Sequence, residues 1–144
     1  MDKTQRDLLR RRLRVAVGQQ PDLKILRTLL LRIGGTELVA PIRFDPDVQL
    51  LMDSGFDMSG PVKCRIMRRS ACHENIARLW KAKHRGLVGV GTGYALSDDG
   101  LWRQHSWGIR RDGILETTLT RARYFGIRLQ GADADSFAAC NFVA

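Results

Sequence analysis

A chain of 144 residues is long enough to bury a core as one domain, and three cysteines, odd in number and irregularly spaced, exclude a disulfide framework and suit a reducing compartment, the cytoplasm. No apolar run approaches the roughly twenty residues that span a bilayer, and Asp2, Lys3, Arg6 and Asp7 leave no apolar signal-peptide stretch, so neither a membrane span nor export is expected. The net charge of +9 is uneven, with nine Lys/Arg against three Asp in residues 1–36, a net −4 in 37–62, +7 in 63–85 and zero beyond, a pattern that attracts an acidic partner or simply keeps a surface solvated.

Thr4 and Asp7 form a capping-box pattern ahead of a helix over 5–17, in which Leu9, Leu13, Ala16 and Val17 keep helical spacing while Arg6, Arg10, Arg11 and Arg14 fall mostly elsewhere. Pro21 and Asp22 start a second helix, striped by Leu23, Leu26, Leu30 and Ile33 and ended by Gly34-Gly35, so residues 1–36 read as a basic helical hairpin arm. An extended piece over 37–44 follows, and Asp45-Pro46-Asp47 then places a cap, a proline and a carboxylate before a short helix through Val48, Leu51 and Met52 that Gly55 stops. Residues 62–67 alternate like a strand, and Ser70 is placed to cap a helix from Ala71 to about His84 that carries Cys72, Ile76, Leu79, Trp80 and Lys83 on one face. Strands are expected over 87–96, 101–109, 114–119 and 123–129, with a turn at Ser97-Asp98-Asp99-Gly100, before a Gly-Ala-Asp-Ala-Asp loop and a last helix from about Ser136. Residues 37–144 therefore read as an α+β domain, the N-terminal helices and the Cys72 helix packed on an antiparallel sheet of about four or five strands.

Cys72 stands where chemistry is possible. A cysteine attacks only as thiolate, which a helix N-terminus and a neighbouring imidazolium both favour, and the imidazole needs an acceptor to fix its tautomer. His105 and Glu116 fall on consecutive strands and share a face when the paired residue numbers sum to an odd value. A loop spanning Gly108 to Gly113 sets them directly opposite each other, with Cβ atoms about 5 Å apart. A tight turn at Asp112-Gly113 pairs His105 with Thr120 instead and leaves Glu116 roughly 13 Å away. The wider loop is the expectation, because it joins imidazole to carboxylate.

Cys72 opening a helix, Gly93-Tyr94 in the next strand, His105-x-Trp107 in the strand after and Glu116-Thr117-Thr118 in the following one resemble the core of the transglutaminase-like and papain-like cysteine hydrolase superfamily over residues 70–129. The resemblance implies a papain-like core with Cys72 as nucleophile, His105 as base then acid, Glu116 as the orienting residue and a substrate pocket about Trp107, Tyr94 and Gly93. Three departures stand beside it. The family's orienting residue is usually aspartate in an Asp-x-Thr context, the residues after the cysteine are usually apolar rather than His73-Glu74, and no glutamine precedes Cys72 at papain-like spacing, so only the Cys72 backbone N–H is named for the oxyanion.

Cys64 and Cys140 read as small structural residues in a strand and a terminal helix. His73 is a candidate second polar group at the site, but, turned about 100° from Cys72 on a helix, it reads rather as a surface residue, and His84 as a complement to a helix C-terminus. A zinc set drawn from Cys64, Cys72, His73 and His84 lacks both the Cys-x₂₋₄-Cys and the His-x₃₋₅-His spacings, so no metal and no cofactor is expected. Trp80, Trp102 and Trp107 read as core anchors, Trp107 also sheltering the imidazole, and the glycines at 86, 89, 91 and 93 as positions where a substrate backbone or a helix approaches the sheet. Two functions follow: a cysteine-nucleophile hydrolase or acyl transferase acting on peptide or side-chain amides of a peptide or protein, or a non-catalytic module whose Arg10, Arg11, Arg12 and Arg14 bind nucleic acid, an acidic protein or another polyanion.

Overall fold

Asp2, not Thr4, caps the first helix. The Gln5 N–H donates to Asp2 Oδ1 (2.8 Å) and the Asp2 N–H donates to Gln5 Oε1 (3.0 Å), which closes the reciprocal box two residues earlier than the Thr4 pattern. The computed structural model describes residues 1–142 of the chain. Helix α1 (Lys3–Gln19) buries Leu13 and leaves Arg10, Arg11, Arg12 and Arg14 exposed, while α2 (Asp22–Ile33) buries Leu23, Leu26 and Leu30 along one stripe. These leucines share a cluster with Leu38, with Val48 and Leu51 of α3 (Val48–Ser54), and with Tyr94, Trp102 and Phe125 of the sheet.

The molecule is α+β, with a seven-stranded sheet. Strands β4 (Leu87–Leu96) and β5 (Leu101–Arg110) form the long central hairpin, turned at Ser97–Gly100 where Gly100 takes φ +84°. β7 (Arg123–Leu129) pairs with β4 on its other side and β2 (Phe56–Met58) with β7, while β6 (Ile114–Glu116) pairs with β5. The sheet departs from the wholly antiparallel expectation at two places: β1 (Glu37–Leu38) runs parallel to β5, and β3 (Val62–Cys64) parallel to β6. β1, β2 and β3 are two or three residues long, too short to show an alternation, and their partners lie far along the chain. The strand expected over 62–67 stops at Cys64, and that expected over 114–119 stops at Glu116.

Helix α4 (Cys72–Lys81) packs Ile76 and Leu79 on Val90 and Leu115, and α5 (Gly131–Asn141) adds Ala134 to the same cluster. The Gly-Ala-Asp-Ala-Asp stretch expected to be a loop is the first half of α5, where Asp133 complements the helix dipole and alanines favour the helix. The β4 glycines serve the sheet itself: a Cβ on Gly91 would collide with the Trp107 indole and one on Gly93 with the β7 backbone. They are close approaches of strand and indole, not of a substrate.

One edge of β5 is incompletely covered. Away from β4, β1 pairs with residues 101–102 and β6 with residues 108–109, and among the described residues no strand pairs with 103–107 between them. His105 sits in that gap.

Candidate active site

Cys72 is the first residue of α4, and the residues before it explain its setting. Arg65 and Met67 donate their N–H groups to the Glu116 and Thr117 carbonyls (both 2.8 Å), which carries the chain beside β6 toward the open stretch of β5. Ser70 then takes φ +56°, a left-handed conformation uncommon outside glycine, and Ala71 occupies the N-cap with no side-chain cap. Ser70 is thus the sharp turn before the helix and not its cap. Asn75, buried, is the first helix residue whose N–H finds an intrahelical carbonyl (Ala71, 2.8 Å), and its side chain donates to the Arg68 carbonyl (2.8 Å) and Thr117 Oγ1 (3.2 Å), which locks the helix start to β6. The Cys72 N–H is left free of the helix ladder at the positive end of the helix.

His105 and Glu116 meet, through a register that differs from both expectations. Arg110 and Gly113 exchange backbone hydrogen bonds across a two-residue loop, Arg111-Asp112, and Ile109 opposes Ile114. His105 is then diagonal to Glu116 rather than opposite it, but the odd sum keeps both on one face, and His105 Nε2 lies 2.9 Å from Glu116 Oε1. Glu116 is fully buried and fully used: Oε1 also accepts from the Tyr124 hydroxyl (2.7 Å), and Oε2 accepts from the Thr118 N–H (2.9 Å) and hydroxyl (3.0 Å). The ring of Trp107 stacks on His105 at 6.0 Å between centroids, and Tyr124, edge-on to Trp107, lies on the same side at 6.2 Å. With Nε2 committed to Glu116, Nδ1 is the nitrogen left for the sulfur.

The Cys72 sulfur interacts with the imidazoles of both His105 and His73. Burial opposes its ionisation, but the two imidazoles and their charges outweigh burial and lower the thiol to about 5. For His105 burial favours the neutral ring, yet Cys72 and Glu116 together raise its pKa above the ordinary histidine value. Glu116 is pushed up by burial and pulled further down by its hydrogen bonds from His105, Thr118 and Tyr124, so it stays ionised. The arrangement stores a thiolate beside an imidazolium, with a carboxylate behind it.

His73 corrects the expected surface role. Far from facing solvent, it is half-buried, and its Nδ1 lies 2.5 Å from Ser106 Oγ, which is in turn 2.9 Å from Thr92 Oγ1 on β4. A second imidazole thus stands at the sulfur, steadied by two hydroxyls. Adjacency to a thiol at a helix start was the signal for it; its tertiary partner Ser106 was not legible.

A cleft of about 410 Å³ opens at Cys72 and His105, with Ile42 and Leu119 as apolar lips and Arg69, Arg103 and Arg121 around it. The three residues expected to form the pocket do not line it. Trp107 is fully buried behind His105, Gly93 packs against β7, and Tyr94 lies on the opposite face, where its hydroxyl donates to Asp45 Oδ2 (2.8 Å). Arg10, Arg11, Arg12 and Arg14 stand on α1 and do not line this cleft; Arg11 and Arg12 line an adjoining hollow that shares Val39–Ile42 with it, and Arg10 lies 4.0 Å from Glu37. Cys64 and Cys140 are exposed rather than packed in the core. A second hollow of similar size lies between α4 and α5 at Trp80, Lys83 and Asp135, remote from the thiol. Among the described residues no three His, Cys, Asp or Glu side chains are grouped to hold a metal ion, and no helix is long and apolar enough to cross a membrane. Compared with protein-family models, curated proteins and solved structures, the chain matches none.

Proposed function

We propose that this protein is a cysteine-nucleophile hydrolase or acyl transferase, of the papain-like or transglutaminase-like kind, acting on peptide or side-chain amide carbonyls. The observation that carries the reading is the unbroken chain from the Cys72 sulfur through His105 to a buried Glu116, with the sulfur opening on a cleft. The Cys72 thiolate attacks the amide carbon, and a C–S bond forms as the carbonyl electrons move to oxygen. The oxyanion meets the free Cys72 N–H and the ring N–H of His73, the second donor that the sequence left unnamed. His105 gives its proton to the departing nitrogen, the C–N bond breaks, and a thioester remains. His105, now neutral, takes a proton from water or an amine as that nucleophile attacks the thioester, and Cys72 leaves as thiolate with its partner again an imidazolium. Glu116 keeps its charge throughout and holds the ring in one orientation.

Iodoacetamide labelling at pH 6, read by peptide mass mapping, tests the reading. Cys72 is expected to react at least ten-fold faster than the more exposed Cys64 and Cys140, and His105→Ala to remove that advantage. Equal, slow labelling of all three cysteines refutes it. A second reading, a polyanion-binding module, draws on the exposed Arg11, Arg12 and Arg14 of α1, which have no acidic partner among the described residues. A gel shift on DNA and RNA whose affinity falls with salt supports that role for the helix, alone or beside catalysis.

A further inference from the structure

We infer that the cleft takes an acidic polypeptide segment, with a substrate carboxylate held by Arg69 and Arg121 and an apolar side chain seated between Ile42 and Leu119; this rests on Cys72 being the nucleophile. Among the described residues three arginines and no Asp or Glu line the cleft. Of the three, Arg103 is already neutralised by a two-point ion pair with Asp99 (2.8 and 3.1 Å). Arg121 is different: among the described residues its guanidinium donates to neutral oxygens alone, Ser97 Oγ (2.9 Å), the Leu119 carbonyl (3.0 Å) and Thr118 Oγ1 (3.3 Å), so it is held in place without an ion-pair partner there. Arg69 makes no ion pair among the described residues. Two unbalanced guanidinium groups beside a half-apolar cleft suit a carboxylate, which they bind in forked geometry.

The rest of the cleft favours a peptide over a nucleic acid. Ile42 is 99% exposed, yet it belongs to a segment fixed at both ends. Val39 donates to the Trp102 carbonyl (2.9 Å), and Asp45 exchanges backbone hydrogen bonds with the buried Gln20 side chain (2.7 and 3.0 Å). Leu119, 60% exposed, faces it as the second lip. Among the described residues no Phe, Tyr or Trp lines the cleft to stack a base. Gln104, also lining it, lies on the stretch of β5 that neither β1 nor β6 covers, so an extended peptide finds main-chain partners there.

Protection of Cys72 from iodoacetamide in the full chain at pH 6 reads this directly. The probes are an acidic hexapeptide of Glu and Leu, its Gln counterpart, and an oligothymidylate of equal charge. The acidic peptide is expected to protect at concentrations at least ten-fold lower than the Gln peptide, the margin shrinking as salt rises and vanishing in Arg69→Glu. Equal protection by the two peptides overturns the inference, and stronger protection by the oligothymidylate overturns it in favour of nucleic acid. Should Cys72 react no faster than Cys64 and Cys140, the enzyme reading fails. Fluorescence anisotropy of the labelled peptides on the Cys72→Ala chain then decides the inference separately: a ten-fold preference for acid over amide upholds it, and no preference overturns it.

Discussion

Two tyrosine–carboxylate pairs lie buried on opposite faces of the sheet, alike in composition and unlike in where they lead. On one face the Tyr94 hydroxyl donates to Asp45 Oδ2 (2.8 Å), Asp45 Oδ1 accepts from the Asp47 N–H (2.9 Å), and the Asp45 backbone is answered by Gln20. Every hydrogen-bond partner there is a backbone group, an amide or a hydroxyl. On the other face the Tyr124 hydroxyl donates to Glu116 Oε1 (2.7 Å), but the same oxygen faces His105, and His105 meets a sulfur at the edge of a cleft. A buried carboxylate ties a fold together when its partners end in the interior, and becomes available for chemistry when they end at a titratable atom that a substrate can reach.

The sharpest way to break the comparison is to remove the imidazole. His105→Ala, and more so with His73→Ala, is expected to slow Cys72 alkylation at pH 6 by about 100-fold, since an unassisted thiol titrating near 8.5 is ionised there only in trace. Retained reactivity would show that the helix start alone sustains the thiolate. Next is the pH profile of the intact chain. Alkylation of Cys72 is expected to rise through about pH 5 and level off, whereas turnover rises there and falls again at high pH as His105, its pKa raised, loses the proton it must give the leaving group.

Smaller is the effect of Glu116→Gln, expected to cost roughly 2 kcal/mol in urea unfolding at neutral pH and to reduce turnover at least ten-fold. Because the folded carboxyl titrates below its unfolded value, its contribution is complete above the ordinary glutamate range and lost as pH falls through the folded value. Stability of the variant should therefore depend less on pH in that acid window. The smallest effects sharpen the contrast most. Tyr94→Phe and Tyr124→Phe each remove one buried hydrogen bond and should each cost about 1 kcal/mol, a few degrees in Tm. Only Tyr124→Phe should shift the alkylation midpoint, and a shift in Tyr94→Phe would show that the two faces are coupled.

Much of the site was legible because its signals are local or depend on parity. A helix start marks Cys72, and alternation along a strand puts His105 and Glu116 on one face at any odd register, so the true loop at Arg111-Asp112 left their meeting intact although neither expected turn was formed. Parity also argues against Tyr94 in the pocket: Gly93 pairs with His105, so its neighbour Tyr94 projects from the other face. What stayed illegible was tertiary. Ser106 draws His73 to the sulfur, and β1 and β3 are defined only by the strands they meet. The left-handed Ser70 likewise takes its conformation from the join between β3 and α4 rather than from its own preference.

The stretch of β5 that holds His105 is bordered by a segment joined across a long reach of chain: Thr36 bonds Gly100, 64 residues away. Closing so large a loop is entropically slow compared with forming the β4–β5 hairpin. During synthesis, therefore, the thiol and its neighbour His73 are made before His105 and Glu116, so the nascent polypeptide carries a cysteine that still lacks its imidazole–carboxylate pair. Full activation of the thiol waits on residues made more than thirty positions later.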